Sequence, residues 1–344
     1  MKRIRVLIVD DSAVVREVLA GALDADRRFQ TVGTAPDAYT ARNKILKLDP
    51  DVVLLDIEMP RMDGLTFLRK LMRYRPTPVI IVSSLTPPGG RMALDAMTSG
   101  AMDVVCKPGP ELPIQEMLEV LKEKIAAVAA ASFVSRPAET EAPAADTTEL
   151  ALPAAARRIV AIGASTGGTQ AIEQILRQFP PNCPPTLIVQ HMPAYFTTSF
   201  AKRLNDLCAP EIREACDNDD VLPGRVLIAP GNRHLLLRPR GGGLRVQVKD
   251  GPMVHHQRPS IEVLFQSIVR CPEVAVVAAL LTGMGTDGAN GLLSLRRGGA
   301  HTIAQDQASS VVYGMPAEAV RLGAACEVAS LGRMAGLLLA HACE

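Results

Sequence analysis

Tryptophan is absent, and Phe, Trp and Tyr together supply only 3% of the 344 residues. Without aromatic faces to spare, stacking platforms for single-stranded nucleic acid and aromatic sugar-binding surfaces are disfavoured. Charge of one sign is missing too: 37 Lys and Arg face 36 Asp and Glu, for a net charge of +1. Such a chain has no long-range basic field to hold nucleic acid or an anionic membrane. No segment offers about 18 uninterrupted apolar residues, so no membrane span or insertion is expected. The apolar run 6–9 ends at Asp10 and Asp11, far short of a signal-peptide core. The seven cysteines form no Cys-x-x-Cys pair and no Cys/His cluster of zinc spacing, which reads as reduced thiols in a cytoplasmic protein.

What is present is globular: 48% of residues are hydrophobic and 21% charged, enough apolar side chain for a sizeable core. At roughly 100 to 200 residues per domain the length suggests two domains, or one large one. Between Arg136 and Ala156 the composition turns to Ala, Pro, Glu and Thr, a mixture that cannot offset its ordering entropy and reads as a linker. Before it, strand candidates at 5–9, 52–56, 79–83 and 104–105 alternate with helical stretches beginning near Ala13, Leu65, Arg91 and Ile114. Alternation of this kind predicts an α/β domain with a parallel sheet. After it, strand candidates at 159–162, 187–190, 226–229, 234–238, 244–249, 274–281 and 302–304 repeat the pattern, with helices at 169–178, 198–207 and 261–270. The run Gly241-Gly242-Gly243 predicts an antiparallel hairpin inserted in the second, mostly parallel, sheet.

In the first domain Asp10 and Asp11 follow the first strand and Asp56 ends the run 52–55, which gathers three carboxylates at one sheet edge. Ligands of open parallel sheets bind outside the carboxyl ends of the strands. Crowded acids repel one another, and a hard cation such as Mg²⁺ relieves that through oxygen ligation. Lys107 and Ser83, each ending a strand, offer a cation and a hydroxyl to a phosphoryl group. Taken singly, a strand-end Asp more often caps a helix. Jointly, Val9-Asp10-Asp11-Ser12, Leu55-Asp56-Ile57-Glu58-Met59-Pro60, Val82-Ser83-Ser84 and Lys107-Pro108 resemble the receiver domain of two-component response regulators, over roughly 1–124. The resemblance implies a flavodoxin-like fold and phosphorylation at Asp56. It also implies Mg²⁺ held by Asp10, Asp11, Asp56 and a main-chain oxygen of Glu58, with Ser83 and Lys107 contacting the phosphate. One departure is Val104, where the family often carries an aromatic switch residue.

In the second domain a strand breaks at Gly163-Ala164-Ser165-Thr166-Gly167-Gly168 into a turn that opens a helix. A glycine-rich turn of this type either cradles phosphate or lifts a nucleophile into the crevice, though neither the dinucleotide fingerprint nor Gly-x-Ser-x-Gly is matched. The next strand ends in His191, and a later one runs into Thr282-Gly283-Met284-Gly285-Thr286-Asp287-Gly288. Each residue has an ordinary use: Ser165 and Asp287 as helix caps, His191 as a bonded residue near the core. Together they are what a serine hydrolase needs: Ser165 as nucleophile, His191 as base, Asp287 to orient and stabilise the imidazolium, and turn amides for the oxyanion. The order Ser, His, Asp differs from the common hydrolase orders. His255, His256 and Arg258 lie before a helix starting near Ser260, either solvated or placed to hold an acidic substrate.

These motifs, with Gln190-His191-Met192-Pro193, Arg258-Pro259-Ser260, Ala304-Gln305-Asp306 and Tyr313-Gly314-Met315-Pro316, resemble the catalytic domain of the chemotaxis protein-glutamate methylesterases. The resemblance covers roughly 157–342 and implies two doubly wound α/β domains, the second Rossmann-like with a hairpin, joined by a linker at 125–156. It implies a phosphorylation-regulated hydrolase that removes γ-methyl esters from chemoreceptor glutamates and deamidates receptor glutamines. It adds the Met284 amide to the oxyanion hole, Thr166 as a further neighbour, and no cofactor at the esterase site. A chemotaxis histidine kinase would be the phosphodonor, the chain a monomer, and the unphosphorylated receiver a cover over the esterase crevice. Rival readings are a receiver-linked binding protein with an inactive hydrolase-like domain, a hydrolase of another ester, and a DNA-binding regulator, the last lacking a basic recognition helix.

Overall fold

The computed structural model describes residues 2–84, 87–107, 114–130 and 158–343, and the chain divides into two units, 1–140 and 141–344. The segment 131–157, which holds most of the expected linker, and Pro108 lie outside the described residues.

The first unit alternates strand and helix: β1 (Ile4–Val9), α1 (Ala13–Asp24), β2 (Phe29–Ala35), α2 (Ala38–Leu48), β3 (Val52–Leu55), α3 (Gly64–Tyr74), β4 (Val79–Ser83), α4 (Pro87–Thr98), β5 (Asp103–Cys106) and α5 (Ile114–Ala130). The strands pair in parallel in the order β2-β1-β3-β4-β5. β3, β4 and β5 are buried throughout, as strands covered on both faces must be. The order reverses between β1 and β3, so Asp10 and Asp56 flank the switch point where ligands of such sheets sit. Ser12 starts α1 as its N-cap, accepting from the Val15 amide, and Asp63 does the same for α3. The last helix runs past the expected boundary at 124 to Ala130, because Ile125, Ala127 and Val128 continue its buried stripe.

The second unit contains β6 (Ile159–Ala164), α6 (Gly168–Leu176), β7 (Thr186–Gln190), α7 (Phe196–Leu207), β8 (Glu211–Glu214), β9 (Arg225–Ile228), β10 (His234–Arg240), β11 (Gly243–Lys249), α8 (Ile261–Val269), β12 (Val276–Leu280), α9 (Ala289–Arg297), β13 (His301–Gln305), α10 (Met315–Arg321), β14 (Glu327–Ala329) and α11 (Leu331–Cys343). Seven strands form one parallel sheet in the order β14-β13-β12-β6-β7-β9-β8. The second unit starts at β6 and its strands are added outward on both sides, so the crevice lies at the carboxyl ends of β12, β6 and β7.

The hairpin departs from expectation. β10 and β11 pair with each other as a two-stranded ribbon outside the parallel sheet, and β11 also exchanges backbone hydrogen bonds with residues 218–221. Alternation explains this: Leu235, Leu237, Val246 and Val248 bury one face of the ribbon in the same cluster as Ile261, Leu264, Phe265 and Ile268 of α8. The ribbon is therefore satisfied by packing on a helix. Gly241 and Gly242, at φ 59° and 83°, supply the two left-handed residues that close its tight turn.

Candidate functional sites

In the first unit Asp10 and Asp56 are almost fully buried, while Asp11 is exposed. Each of the three offers a carboxylate oxygen within 4.8 Å of the others, a cluster capable of holding a metal ion. Lys107 Nζ lies 2.8 Å from an oxygen of Asp10 and 2.8 Å from one of Asp56. Burial and then the neighbouring Asp10 charge push the Asp56 carboxyl up, against the pull of Lys107. Burial lowers the Lys107 ammonium, but its bonds to Asp10 and Asp56 outweigh that and hold it above its ordinary value. One ammonium thus serves two buried carboxylates, an arrangement short of positive charge. Ser83 is fully buried, and its hydroxyl has no hydrogen-bond partner among the described residues. The Glu58 amide donates to Asp56 at 3.2 Å, and the Glu58 carbonyl accepts no hydrogen bond among the described residues. Its side chain instead accepts from the Ser84 hydroxyl. Val104 is buried.

In the second unit the register brings the chemistry together. Ala164 of β6 and Gln190 of β7 are partners, so Ser165 and His191 are the next residues out on adjacent strands, whose axes lie roughly 4.8 Å apart. The His191 amide donates to the Ala164 carbonyl, and the Ser165 amide to the Thr282 carbonyl at the end of the β12 edge. Both Ser165 and His191 are buried, at 7% and 5% exposure.

His191 Nε2 donates to Asp287 Oδ2 at 2.8 Å. Asp287 also accepts from the Ile261 amide at 2.7 Å, the Ser260 hydroxyl at 2.8 Å and the Glu262 amide at 3.2 Å. Burial acts to raise its carboxyl, but the bonds from His191, the Ile261 amide and the Ser260 hydroxyl outweigh it and hold the carboxyl below its ordinary value. An ionised Asp287 can only accept, so Nε2 carries the proton and Nδ1 the lone pair. Nδ1 is buried and has no hydrogen-bond partner among the described residues. The imidazole therefore presents a basic nitrogen that nothing else uses, with the two ring nitrogens exchanged relative to the familiar serine-protease arrangement.

Glycines shape the rest of the crevice. A Cβ on Gly283 would stand 2.6 Å from Ser165 Cβ and 2.5 Å from Met315 Cε. The Gly283 carbonyl accepts from both Gly314 and Met315, and its amide donates to Val312, which pins the turn. Beside it the Met284 amide makes no hydrogen bond among the described residues, as an oxyanion donor requires. Thr166 is buried, and its carbonyl accepts from the Thr282 hydroxyl at 2.9 Å. Arg258 is committed to structure, donating to Asn232 Oδ1 and the Gly251 carbonyl. His255 and His256 are exposed at φ 51° and 60°, the two central residues of a turn closed by Val254 and Gln257.

Residue-type reasoning assigned no role to Gln190 or His234. Gln190 Nε2 donates to the Ser165 carbonyl at 2.9 Å and to the His191 carbonyl at 3.3 Å, joining the two strand ends. His234 accepts from the Ser260 amide at Nδ1 and donates from Nε2 to the Pro252 carbonyl. All seven cysteines are unpaired, and burial pushes the thiols of Cys106 and Cys183 up to about 12. No helix among the described residues is long and apolar enough to cross a membrane.

Residues 160–338 match the CheB methylesterase family, and residues 6–119 match the response regulator receiver domain. The chain is 51% identical over 336 residues to a protein-glutamate methylesterase/protein-glutamine glutaminase of Syntrophus aciditrophicus, covering 97% of this chain and 98% of that protein. It is 53% identical over 343 residues to one of Anaeromyxobacter dehalogenans, covering 100% of this chain and 96% of that one. Among solved structures, the Thermotoga maritima CheB methylesterase catalytic domain superposes with a TM-score of 0.52 at 33% identity, over 54% of this chain and 98% of its own.

Proposed function

The chain belongs to the CheB methylesterase family and is a phosphorylation-regulated protein-glutamate methylesterase and protein-glutamine glutaminase acting on chemoreceptor glutamates, and from that premise we propose that Ser165, His191 and Asp287 carry the reaction. The observation that supports it most is the pairing of His191 Nε2 with a buried, hydrogen-bonded Asp287, which leaves Nδ1 as the base.

In this reading Ser165 Oγ attacks the carbonyl carbon of a γ-methyl ester while its proton passes to His191 Nδ1. Asp287 stabilises the imidazolium through Nε2–H without taking the proton. The oxyanion of the tetrahedral species is held by the Met284 amide. Collapse expels methoxide, which takes the proton from His191 and leaves as methanol. Water, activated by the same nitrogen, then cleaves the acyl-enzyme and restores Ser165 and a free glutamate. A glutamine substrate passes through the same sequence with ammonia as leaving group.

In the first unit Asp56 is the phosphate acceptor, with Ser83 and Lys107 placed to contact the phosphoryl oxygens. Asp10, Asp11, Asp56 and the Glu58 carbonyl would hold Mg²⁺, which supplies the positive charge that the buried carboxylates lack. The orphaned Ser83 hydroxyl fits a site shaped for phosphate. The phosphodonor is a chemotaxis histidine kinase and the substrates are chemoreceptors. Regulation runs through relief of inhibition: converting the Asp56 carboxylate to an acyl phosphate adds about one negative charge and three phosphoryl oxygens, and raises the esterase rate. A receiver domain over 1–124 and an esterase domain over 157–342 are the divisions this regulation uses. The reading is tested by methanol release from methylated receptor membranes: Ser165→Ala abolishes it, and release by that variant at the wild-type rate would refute the assignment.

A further inference from the structure

The Asp287 carboxylate receives three of its four hydrogen bonds from one place, the first turn of α8. The Ser260 hydroxyl donates to Oδ1 at 2.8 Å, the Glu262 amide to Oδ1 at 3.2 Å and the Ile261 amide to Oδ2 at 2.7 Å. Only the fourth comes from His191. Asp287 precedes α9, yet it is spent on a different helix, whose N-terminal amides and dipole favour an anion there. Ser260 is fully buried and holds an extended backbone, φ −113° and ψ 136°, as the N-cap of α8. Its own amide donates to Nδ1 of buried His234 at 3.2 Å, while His234 Nε2 donates to the Pro252 carbonyl at 2.9 Å. The two bonds are mutually consistent with a neutral imidazole protonated at Nε2.

We propose that Ser260, itself braced by His234, is a positioning residue of the esterase site: through its hydroxyl it aims Oδ2 of Asp287 at His191 and limits the basicity of the carboxylate. This rests on the reading of Asp287 as the partner of His191. The physical argument is one of lone pairs. With Oδ1 occupied by Ser260 and Glu262, and Oδ2 by Ile261 and His191, the carboxylate has one orientation in which all donors are met. Charge-assisted bonds of this kind are about twice as strong as neutral ones. Removing the Ser260 donor frees a lone pair on Oδ1, lets the carboxylate rotate, and concentrates negative charge beside the imidazole. A more negative partner favours the imidazolium over the free base.

The test uses the full chain. Ser260→Gly removes the hydroxyl while keeping a residue well tolerated at an N-cap. We expect kcat to fall about tenfold, the lower range for loss of a hydrogen bond to a charged group, with KM changed less than twofold. The acidic limb of kcat/KM should move to higher pH. In an Asp287→Asn background the same change should cost less than twofold further, because its effect is transmitted through Asp287. Thermal unfolding of each variant identifies loss of fold. Wild-type kcat and an unmoved acidic limb in a folded Ser260→Gly variant would overturn the proposal, as would a full tenfold loss in the Asp287→Asn background. Failure of the underlying reading is separate: it appears as turnover retained in Asp287→Asn itself.

Discussion

His191 and Asp287 are 96 positions apart in the chain, yet their side chains meet at 2.8 Å in a site where both are buried. The contact exists because β7 and β12 flank β6 in one parallel sheet, so the residues leaving their carboxyl ends share an edge. Asp287→Asn keeps the shape but changes an acceptor into a group that donates. We expect turnover to drop about 10⁴-fold, as for the same change in other triads, with little change in KM. Steady-state methanol release checks this, and near-normal turnover would speak against the role.

Gly283 is constrained by packing against Ser165. Gly283→Ala would place a methyl group 2.6 Å from Ser165 Cβ, with Met315 equally close on the other side. The variant should lose esterase activity by at least about 10²-fold, the scale for a misplaced reacting group. Met284→Ala should stay within a few-fold of wild type, because the amide and not the side chain is assigned to the oxyanion. Similar losses in both variants would remove the main-chain assignment.

Asp56 makes a stability prediction with a definite sign. Its folded-state carboxyl is raised by burial and the Asp10 charge, so the folded state prefers it protonated. That contribution is present in full below the unfolded value near 3.8 and is lost as pH rises through the folded value. At neutral pH the charge is a liability. Asp56→Asn should therefore strengthen the first unit by roughly 0.5–2 kcal/mol, the usual size of a single stabilising substitution, and the gain should vanish in strong acid. Hydrogen exchange of the β3 amides at neutral pH reads it; faster exchange in the variant would contradict the account. The same variant should lose activation by a small-molecule phosphodonor.

Inhibition by the receiver predicts that a chain beginning at Arg157 has a higher basal esterase rate than the full chain and no response to phosphodonor. Equal basal rates would remove the case for it.

The sheet edges were legible in the sequence because a parallel strand is a short apolar run whose end is marked by the first polar residue. Asp10, Asp56, Ser165 and His191 all stand at such ends. β2 and α2 were not legible, since β2 buries only Phe29 and Ala35, and α2 only Ala38, Ala41 and Ile45. Their apolar pattern is too dilute to reveal the period. The surroundings of Asp287 were hidden for a different reason: Ser260 lies 27 residues upstream and His234 a further 26, and no local spacing encodes contacts made by stacking a helix and a ribbon on the sheet. The ribbon itself was seen as a hairpin but misplaced, because alternation reveals a buried face without revealing what covers it.

The central claim is that one hydroxyl, one imidazole and one carboxylate at neighbouring strand ends perform the hydrolysis under receiver control. Its most direct measurement is methanol release from methylated chemoreceptor membranes by the full chain, with and without a phosphodonor, beside Ser165→Ala. The account predicts release that rises with phosphodonor and disappears in the variant. Methanol released equally by Ser165→Ala would contradict it.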